Sequence, residues 1–256
     1  MAEPKIFTKN YVSGDDTIVV SHGDGSKANL YHSDRASKWM TSGANDDDVT
    51  ASIEVYFYEG SVAATRTIDH IMILGHNLKA WTAYYWDGSA WQTWASETVD
   101  AAADTIKSCT SRATTKIKIE CTATQVVDAE KYIGELIVCA LSLDIGVDWD
   151  SHNPKGRERS KEIVLGDGSI HKMTTRFTQY RTQKYESDVV FNYVTEETRD
   201  LLKAIREVAE PVLWQPESVT RPAEIYYVHW TTPWDEEYPT SVKSSGNKIS
   251  MHLKEV

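Results

Sequence analysis

The sequence predicts a mostly β protein of two domains, with one helix in the second domain. Three observations predict it. Apolar and polar residues alternate in several short runs, a helical spacing of apolar residues appears only after residue 195, and a polar stretch interrupts the chain near residue 150. The length of 256 residues is sufficient for two domains of ordinary size.

Strands with one buried face are predicted in the first half. Every second residue is apolar in the runs 50–58 and 116–121, namely Ala51, Ile53, Val55 and Phe57 in the first and Ile117, Ile119 and Cys121 in the second. The run 133–143 is nearly all apolar, which is typical of a strand covered on both faces. The first half is therefore predicted to be all β.

One hairpin is predicted in detail. Asp87-Gly88 separates the segments 83–86 and 90–94, which are rich in aromatic residues. Asp-Gly is favoured in tight hairpin turns, where positive φ angles are required. We expect the two segments to pair as antiparallel strands.

A domain boundary is predicted at residues 144–160. The apolar run ends there, and charged residues, Pro154 and Gly156 follow. Stretches of this composition are typical of domain boundaries. We assign residues 1–146 to a first domain, 147–160 to a linker and 161–256 to a second domain.

The second half begins with an alternating run at 185–193, in which Val189, Phe191 and Tyr193 share a face. Thr195 is suited to cap a helix that starts with two glutamates and ends before Pro211. Its predicted apolar stripe consists of Leu201, Leu202, Ile205, Val208 and Ala209. The runs 224–230 and 249–253 predict further strands.

Composition excludes several function classes. The net charge of −11 opposes binding to nucleic-acid phosphates, so we expect no specific nucleic-acid binding. No apolar run is long enough to span a bilayer, and we expect no membrane partner. The cysteines Cys109, Cys121 and Cys139 have no metal-ligand spacing, and we predict free thiols and no metal or cofactor.

Two local motifs have alternative interpretations. Gly166-Asp-Gly168 lacks the lysine and hydroxyl of a phosphate-binding loop, so a tight turn is favoured. The three carboxylates 46–48 are favoured as a solvated acidic loop, with a calcium site as the alternative. No local motif of a hydrolase is present, and we predict no catalytic residues; a glycan hydrolase with paired carboxylates stays a rival.

Four tryptophans, Trp81, Trp86, Trp91 and Trp94, crowd one region of the first half. Core packing is favoured for Trp81. For Trp86 and Trp91, which flank the predicted turn, a core role and a glycan contact are about equally favoured, since aromatic faces stack on sugar rings. These two residues are the candidate binding residues of the sequence.

The first half resembles the discoidin or galactose-binding-like jelly roll over residues 1–146. The segments that carry the resemblance are 31–39, 50–55, 68–79 and 84–91. The resemblance implies a jelly-roll β-sandwich. Members of this group include glycan-binding domains and purely structural adaptors, so the fold alone does not decide between them.

The second half is similar to the minor tail protein M and distal tail protein family of long-tailed bacteriophages. The ordered elements are the lead into Gly166-Asp-Gly168, the strand 184–193, the helix 196–210 with the segment 211–216 after it, and the closing strands. This resemblance implies a split-barrel-like β domain that forms a ring of six copies. The chain differs from the lambda-like member because a whole jelly roll precedes this domain.

From these resemblances we expect a non-enzymatic structural protein of the virion tail tip, or baseplate, synthesised in the host cytoplasm. Its expected partners are copies of itself in a hexamer, the tail tube protein and the tail hub proteins. An acidic ring would let DNA pass without binding it, and open strand edges could pair with a neighbouring subunit. The alternative is a carbohydrate-binding module that recognises host-surface glycans.

Overall fold

The computed structural model describes residues 3–32, 37–45, 49–146, 151–157, 160–164, 170–174, 184–208, 210–222, 224–233, 235–237 and 247–255. For residues 43–45, 151–157, 160–164, 170–174, 184 and 235–237 only the backbone is described. The chain forms two compact units. The first unit is Asn10–Leu141, and the second combines Met1–Lys9 with Ser142–Val256.

The first unit consists of twelve described strands and a short 3₁₀ helix. The strands are β2 (Thr17–Val20), β3 (Trp39–Asn45), β4 (Ala51–Tyr56), β5 (Tyr58–Glu59), β6 (Val62–Ala63), β7 (Arg66–Leu74), β8 (Leu78–Trp86), β9 (Trp91–Glu97), β10 (Asp104–Thr114), β11 (Lys116–Thr124), β12 (Glu130–Ile133) and β13 (Glu135–Cys139), and the helix is Asp24–Leu30. The 3₁₀ helix has no counterpart in the sequence prediction, because a single apolar residue, Leu30, is buried in it.

A β-sandwich of the jelly-roll kind forms this unit. Its five-stranded sheet has the order β2-β4-β11-β8-β9, and a three-stranded sheet has the order β10-β7-β13. The predicted alternation is confirmed: Ala51, Ile53 and Val55 of β4 and Ile117, Ile119 and Cys121 of β11 are buried, and Ile53 pairs with Ile119. These residues and the buried apolar residues of β7 and β13 form one core.

The apolar run 133–143 is three strands rather than one. Gly134 separates β12 from β13, and its backbone N–H donates to the carbonyl of Leu74 at 3.0 Å. A further strand, β14 (Leu141–Asp144), begins after Ala140. All five residues of β13 are buried, as predicted for a strand covered on both faces.

The second unit consists of an open sheet, a hairpin and one α-helix. Its strands are β1 (Lys5–Phe7), β14, β15 (Ser151–Arg157), β16 (Ser160–Val164), β17 (Ile170–Thr174), β18 (Lys184–Val194), β19 (Val212–Gln215), β20 (Tyr226–Trp230), β21 (Asp235–Glu237) and β22 (Asn247–Glu255), and the helix is α1 (Glu196–Val208). The sheet order is β14-β1-β19-β20-β22-β18-β15, with β21 also on β22. In the described residues the two ends of this order do not meet, so the sheet does not close into a barrel.

Helix α1 begins as predicted but buries a narrower stripe. The Thr195 hydroxyl accepts a hydrogen bond from the N–H of Thr198 at 3.1 Å, which confirms the cap. Leu202 is fully buried and Ile205 packs against the core, whereas Leu201 and Val208 are exposed. The prediction was wrong for these two residues, because the helix contacts one sheet along a single line of side chains.

A β-bulge corrects the predicted face of β18. Val189 and Phe191 are buried as predicted, but Tyr193 has a φ of 64° and is 66% exposed. The pairing register with β22 shifts between Phe191 and Val194, so Val194 takes the inward position. Alternation alone cannot reveal such an insertion.

The unit boundaries differ from the predicted 1–146, 147–160 and 161–256 in two places. Residues 3–9 belong to the second unit, where Lys5 pairs with Gln215. The predicted linker 147–160 includes β15, which pairs with β18 along its whole length. The predicted turn at Gly166-Asp-Gly168 and the acidic loop 46–48 lie outside the described residues.

Candidate functional site

The predicted hairpin forms and is closed by the side chain of Asp87. Its carboxylate Oδ1 accepts hydrogen bonds from the backbone N–H groups of Ser89 and Ala90, both at 2.8 Å, and Oδ2 accepts one from Gln92. Bonds from the backbone of Ala90 and then Ser89 lower the pKa of Asp87 to about 2. Only Gly88 has a positive φ here, 104°, so the aspartate contributes acceptor oxygens rather than a left-handed conformation.

Trp86 and Trp91 are brought together by this turn. They are directly opposite residues of β8 and β9, and their rings lie 5.4 Å apart at 72°, an edge-to-face pair. Both are half-buried, and alternation places them on the side of the sheet away from the core, since Ala83 and Ile117 point inward. The two candidate residues therefore form one half-buried pair on the outer side of the sheet.

Lys116 of the adjacent strand β11 lies against this pair. Its ammonium is 4.0 Å from the centroid of the Trp86 ring, 5.0 Å from that of Trp91 and 5.1 Å from that of Tyr56. Ammonium groups are attracted to the negative faces of aromatic rings at these distances. Three rings on three strands therefore surround one cation.

A second lysine extends the arrangement along β11. The Lys118 ammonium is 4.6 Å from the centroid of Tyr84 and 5.4 Å from that of Trp91, and it donates to Glu120 at 2.7 Å. The Tyr84 hydroxyl also donates to Glu120, at 2.9 Å. Burial raises the pKa of Glu120, but the bonds from Lys118 and Tyr84 outweigh it, so the net pKa lies below the usual value.

We name this surface the aromatic-lysine face and define it as Tyr56, Tyr84, Trp86, Trp91, Lys116 and Lys118. It lies on the outer side of four neighbouring strands of one sheet, which fixes its backbone. Its chemistry combines ring faces, which stack on apolar faces of ligands, with ammonium donors. It could therefore bind a ligand that is flat on one side and polar at its rim.

The other two tryptophans have structural roles. Trp81 is buried in the sandwich core, as predicted, and its Nε1 donates to Asp100 at 3.3 Å. Trp94 packs against the same core and donates from Nε1 to the carbonyl of Thr110 at 3.0 Å. Neither belongs to the aromatic-lysine face.

Four residues of the face, Tyr56, Tyr84, Lys116 and Lys118, were not predicted from the sequence. One signal was available for the lysines. Because Ile117 and Ile119 were assigned to the core, the alternating residues Lys116 and Lys118 had to point outward. The partners across the strands depend on the β4-β11-β8 pairing, which alternation does not specify.

The described part of the chain has neither a metal-binding cluster nor a membrane-spanning helix. No group of three or more His, Cys, Asp or Glu side chains within it could hold a metal ion. No helix among the described residues is long and apolar enough to cross a membrane.

No protein-family model and no curated protein matches the chain. Solved structures with similar folds include a chitosan-binding module from a chitosanase/glucanase of Paenibacillus sp. IK-5, with 13% identity, 52% of this chain and 99% of that chain covered, and a TM-score of 0.44. A family 32 carbohydrate-binding module of C. perfringens NanJ, in complex with galactose, has 16% identity, 53% and 98% coverage and a TM-score of 0.42. Because these identities and TM-scores are low, the similarities do not identify the ligand of this chain.

Proposed function

We propose that the chain is a glycan-binding protein and that the aromatic-lysine face is its binding surface. The observation that carries the proposal is the half-buried edge-to-face pair of Trp86 and Trp91 on the outer side of a continuous sheet. Sugars present an apolar face of C–H groups, which stacks on an indole ring, and a rim of hydroxyl groups, which hydrogen-bonds to polar side chains.

The backbone that carries the pair is held in place before any ligand arrives. The N–H of Trp86 donates to the hydroxyl of Thr114 at 3.1 Å, and this hydroxyl lies 2.9 Å from the carbonyl oxygen of Trp86 and 2.8 Å from that of Lys116. The Asp87 turn, which directly follows Trp86, fixes the connection to Trp91. Such preorganisation lowers the entropy that a ligand must remove on binding.

The two tryptophans have different roles in this proposal. The ammonium of Lys116 lies 4.0 Å from the centroid of the Trp86 ring and 5.0 Å from that of the Trp91 ring, so the ring of Trp86 is the more closely covered of the two. Trp91, at the edge of the face, is the stacking residue. Trp86 positions the ring of Trp91 through the edge-to-face contact, and its own ring contacts the ammonium of Lys116.

The test is a binding titration of the whole chain with oligosaccharides selected on a glycan array. Trp91→Ala should lower affinity about 30-fold, the loss expected for truncation of a residue that contributes about 2 kcal/mol. Trp91→Phe should retain part of the affinity. Tyr193→Asn is the matched control, because Tyr193 is exposed in the other unit and asparagine tolerates its positive φ. Equal binding by all variants would overturn the proposal.

Assembly into a ring at a phage tail tip is the second candidate function. The observation that favours it is the order of elements in the second unit: β18, the helix α1, β19 and β20, and a closing strand β22, as predicted from the tail-protein resemblance. The proposed partners are further copies of this chain, the tail tube and the tail hub, and the proposed location is the virion tail tip.

The mass of the purified chain in solution tests this second candidate. A species of six chains, or a six-fold ring in electron micrographs, is the expected result. A stable monomer under assembly conditions would count against it. The two candidates are compatible, because the glycan site belongs to the first unit and the assembly elements belong to the second.

A further inference from the structure

We propose that the ligand of the aromatic-lysine face is an acidic glycan, and that the ammonium of Lys116 pairs with a carboxylate of a uronic acid. The inference rests on the proposed glycan-binding function. It adds the chemical class of the sugar and the residue that selects it.

The two lysines of the face differ in their partners. Lys118 has a carboxylate partner on its own strand, Glu120, at 2.7 Å. Among the residues that the structure describes, Lys116 forms no ion pair with a carboxylate, and its ammonium contacts rings only. An ammonium has three N–H donors. Contacts with ring faces do not replace the hydrogen bonds that oxygen acceptors would form with these donors.

The carboxylates of Glu54 and Glu120, on β4 and β11, have other partners. Glu120 accepts from Lys118 and Tyr84, and Glu54 accepts from the Tyr56 hydroxyl at 2.7 Å. That last bond is the main reason that the pKa of Tyr56 is raised. Both carboxylates are thus used in local bonds, while the donors of Lys116 are available to a ligand.

The ammonium of Lys116 is placed to contact a substituent of a bound sugar ring rather than the face of that ring. Its ammonium lies 5.0 Å from the centroid of the Trp91 ring, on which the sugar is proposed to stack. A uronic acid carries its carboxylate on the carbon outside the pyranose ring. When that ring stacks on Trp91, the carboxylate projects beyond the ring edge, where it can reach the Lys116 ammonium, which lies 5.0 Å from the centroid of the indole.

Long-range charge opposes an anionic ligand but does not exclude one. The chain carries a net charge of −11. At physiological salt, charges farther than about 8 Å are largely screened, so the contact with Lys116 dominates. The affinity of an acidic sugar should consequently depend on salt, whereas that of a neutral sugar should not.

The experiment compares three probes on the full chain by calorimetry: trigalacturonic acid, the matched neutral galactotriose and a sulfated galactotriose. The expected result is tightest binding of trigalacturonic acid, which weakens as salt is raised. Lys116→Met should lower that affinity about tenfold, a clearly larger loss than the same variant shows with galactotriose. Lys116→Arg should retain most of it, and Lys118→Met is the matched control with a smaller effect.

The outcomes separate this inference from the proposed function. Equal affinity for the acidic and neutral probes, both lost in Trp91→Ala, would overturn the acidic-glycan inference and keep the glycan-binding proposal. Preference for the sulfated probe would overturn the assignment of a carboxylate. Binding of acidic probes that is lost in Lys116→Met but unaffected by Trp91→Ala would overturn both, because it would show an anion site without stacking. If Lys116→Met does not fold, the salt dependence of the unaltered chain decides.

Discussion

The imidazole of His76 donates a hydrogen bond from Nε2 to the hydroxyl of Thr105, over 3.1 Å, inside the first unit. Its tautomer follows from the other nitrogen, because Nδ1 accepts the backbone N–H of Leu78 at 3.0 Å. Thr105 donates in turn to Asp100 at 2.5 Å, and Trp81 donates to the same carboxylate. A buried chain of four polar groups thus connects two loops and two strands of the sandwich.

We predict that His76 makes the first unit less stable as pH falls below 6.5. Burial lowers the pKa of His76 below its ordinary value of 6.5, although Asp100 and Asp104 act to raise it. The unfolded chain therefore binds a proton at a higher pH than the folded chain does, and stability is lost from pH 6.5 down to the folded pKa. The measurement is the free energy of unfolding from pH 7 to 5.

The variant His76→Gln isolates this effect, since glutamine has a donor at the position of Nε2 but does not titrate. Its free energy of unfolding should vary less over the same pH range. Asp100 does not contribute in this window. Burial acts to raise the Asp100 pKa, but its hydrogen bonds leave it below 3.8, so its contribution is lost only at lower pH. An identical pH dependence in both proteins would contradict the prediction.

Removal of the Thr105 hydroxyl should be costly. Thr105→Val leaves the N–H of His76 without its acceptor and Asp100 without its shortest donor, both inside the protein. An unsatisfied buried polar group costs about 1 to 3 kcal/mol. Chemical denaturation should show a loss of this size for Thr105→Val, and a much smaller loss for Thr105→Ser, which keeps the hydroxyl. Equal losses would assign the effect to packing.

The sequence predicts the core of the first unit better than its surface site. Alternation in β4 and β11 identifies Ile53 and Ile119 because one buried face has a period of two residues. The same alternation turns Lys116 outward. It cannot show that Lys116 meets Trp86, since that contact requires β11 to pair with β8 across 30 residues of chain.

In the second unit, a β-bulge in β18 makes the prediction from alternating apolar residues wrong at one position. Tyr193 continues the apolar alternation of β18, yet its positive φ turns it to solvent and Val194 replaces it inside. The bulge depends on the register with β22, whose partner residue for Val194 is Asn247. The alternation of apolar residues within one strand does not show whether that strand has one residue more than the strand it pairs with.

Loss of the Asp87 carboxylate should loosen the hairpin that carries Trp91. Asp87→Ala removes the acceptor for two backbone N–H groups of the turn, whereas Asp87→Asn keeps one acceptor oxygen. We expect faster hydrogen exchange at the Ser89 and Ala90 amides in the alanine variant, and weaker glycan binding, with the asparagine variant closer to the unaltered chain. Unchanged exchange in the alanine variant would show that the strands alone define the turn.

Substitution of Gly23 should be the most damaging single methyl addition among the described glycines of the first unit. Its φ is 73°, and a Cβ built on it lies 2.0 Å from the carbonyl oxygen of Met40, a backbone atom that cannot move independently. Two controls separate the causes. Gly60 has a positive φ of 62° but open space, and Gly25 has open space and no such φ. Gly60→Ala should cost about 1 to 2 kcal/mol, the strain of a left-handed residue. Gly25→Ala should be close to neutral, and Gly23→Ala should cost clearly more than Gly60→Ala in thermal and chemical unfolding. Equal costs at Gly23 and Gly60 would mean that the strand of Met40 shifts to make room.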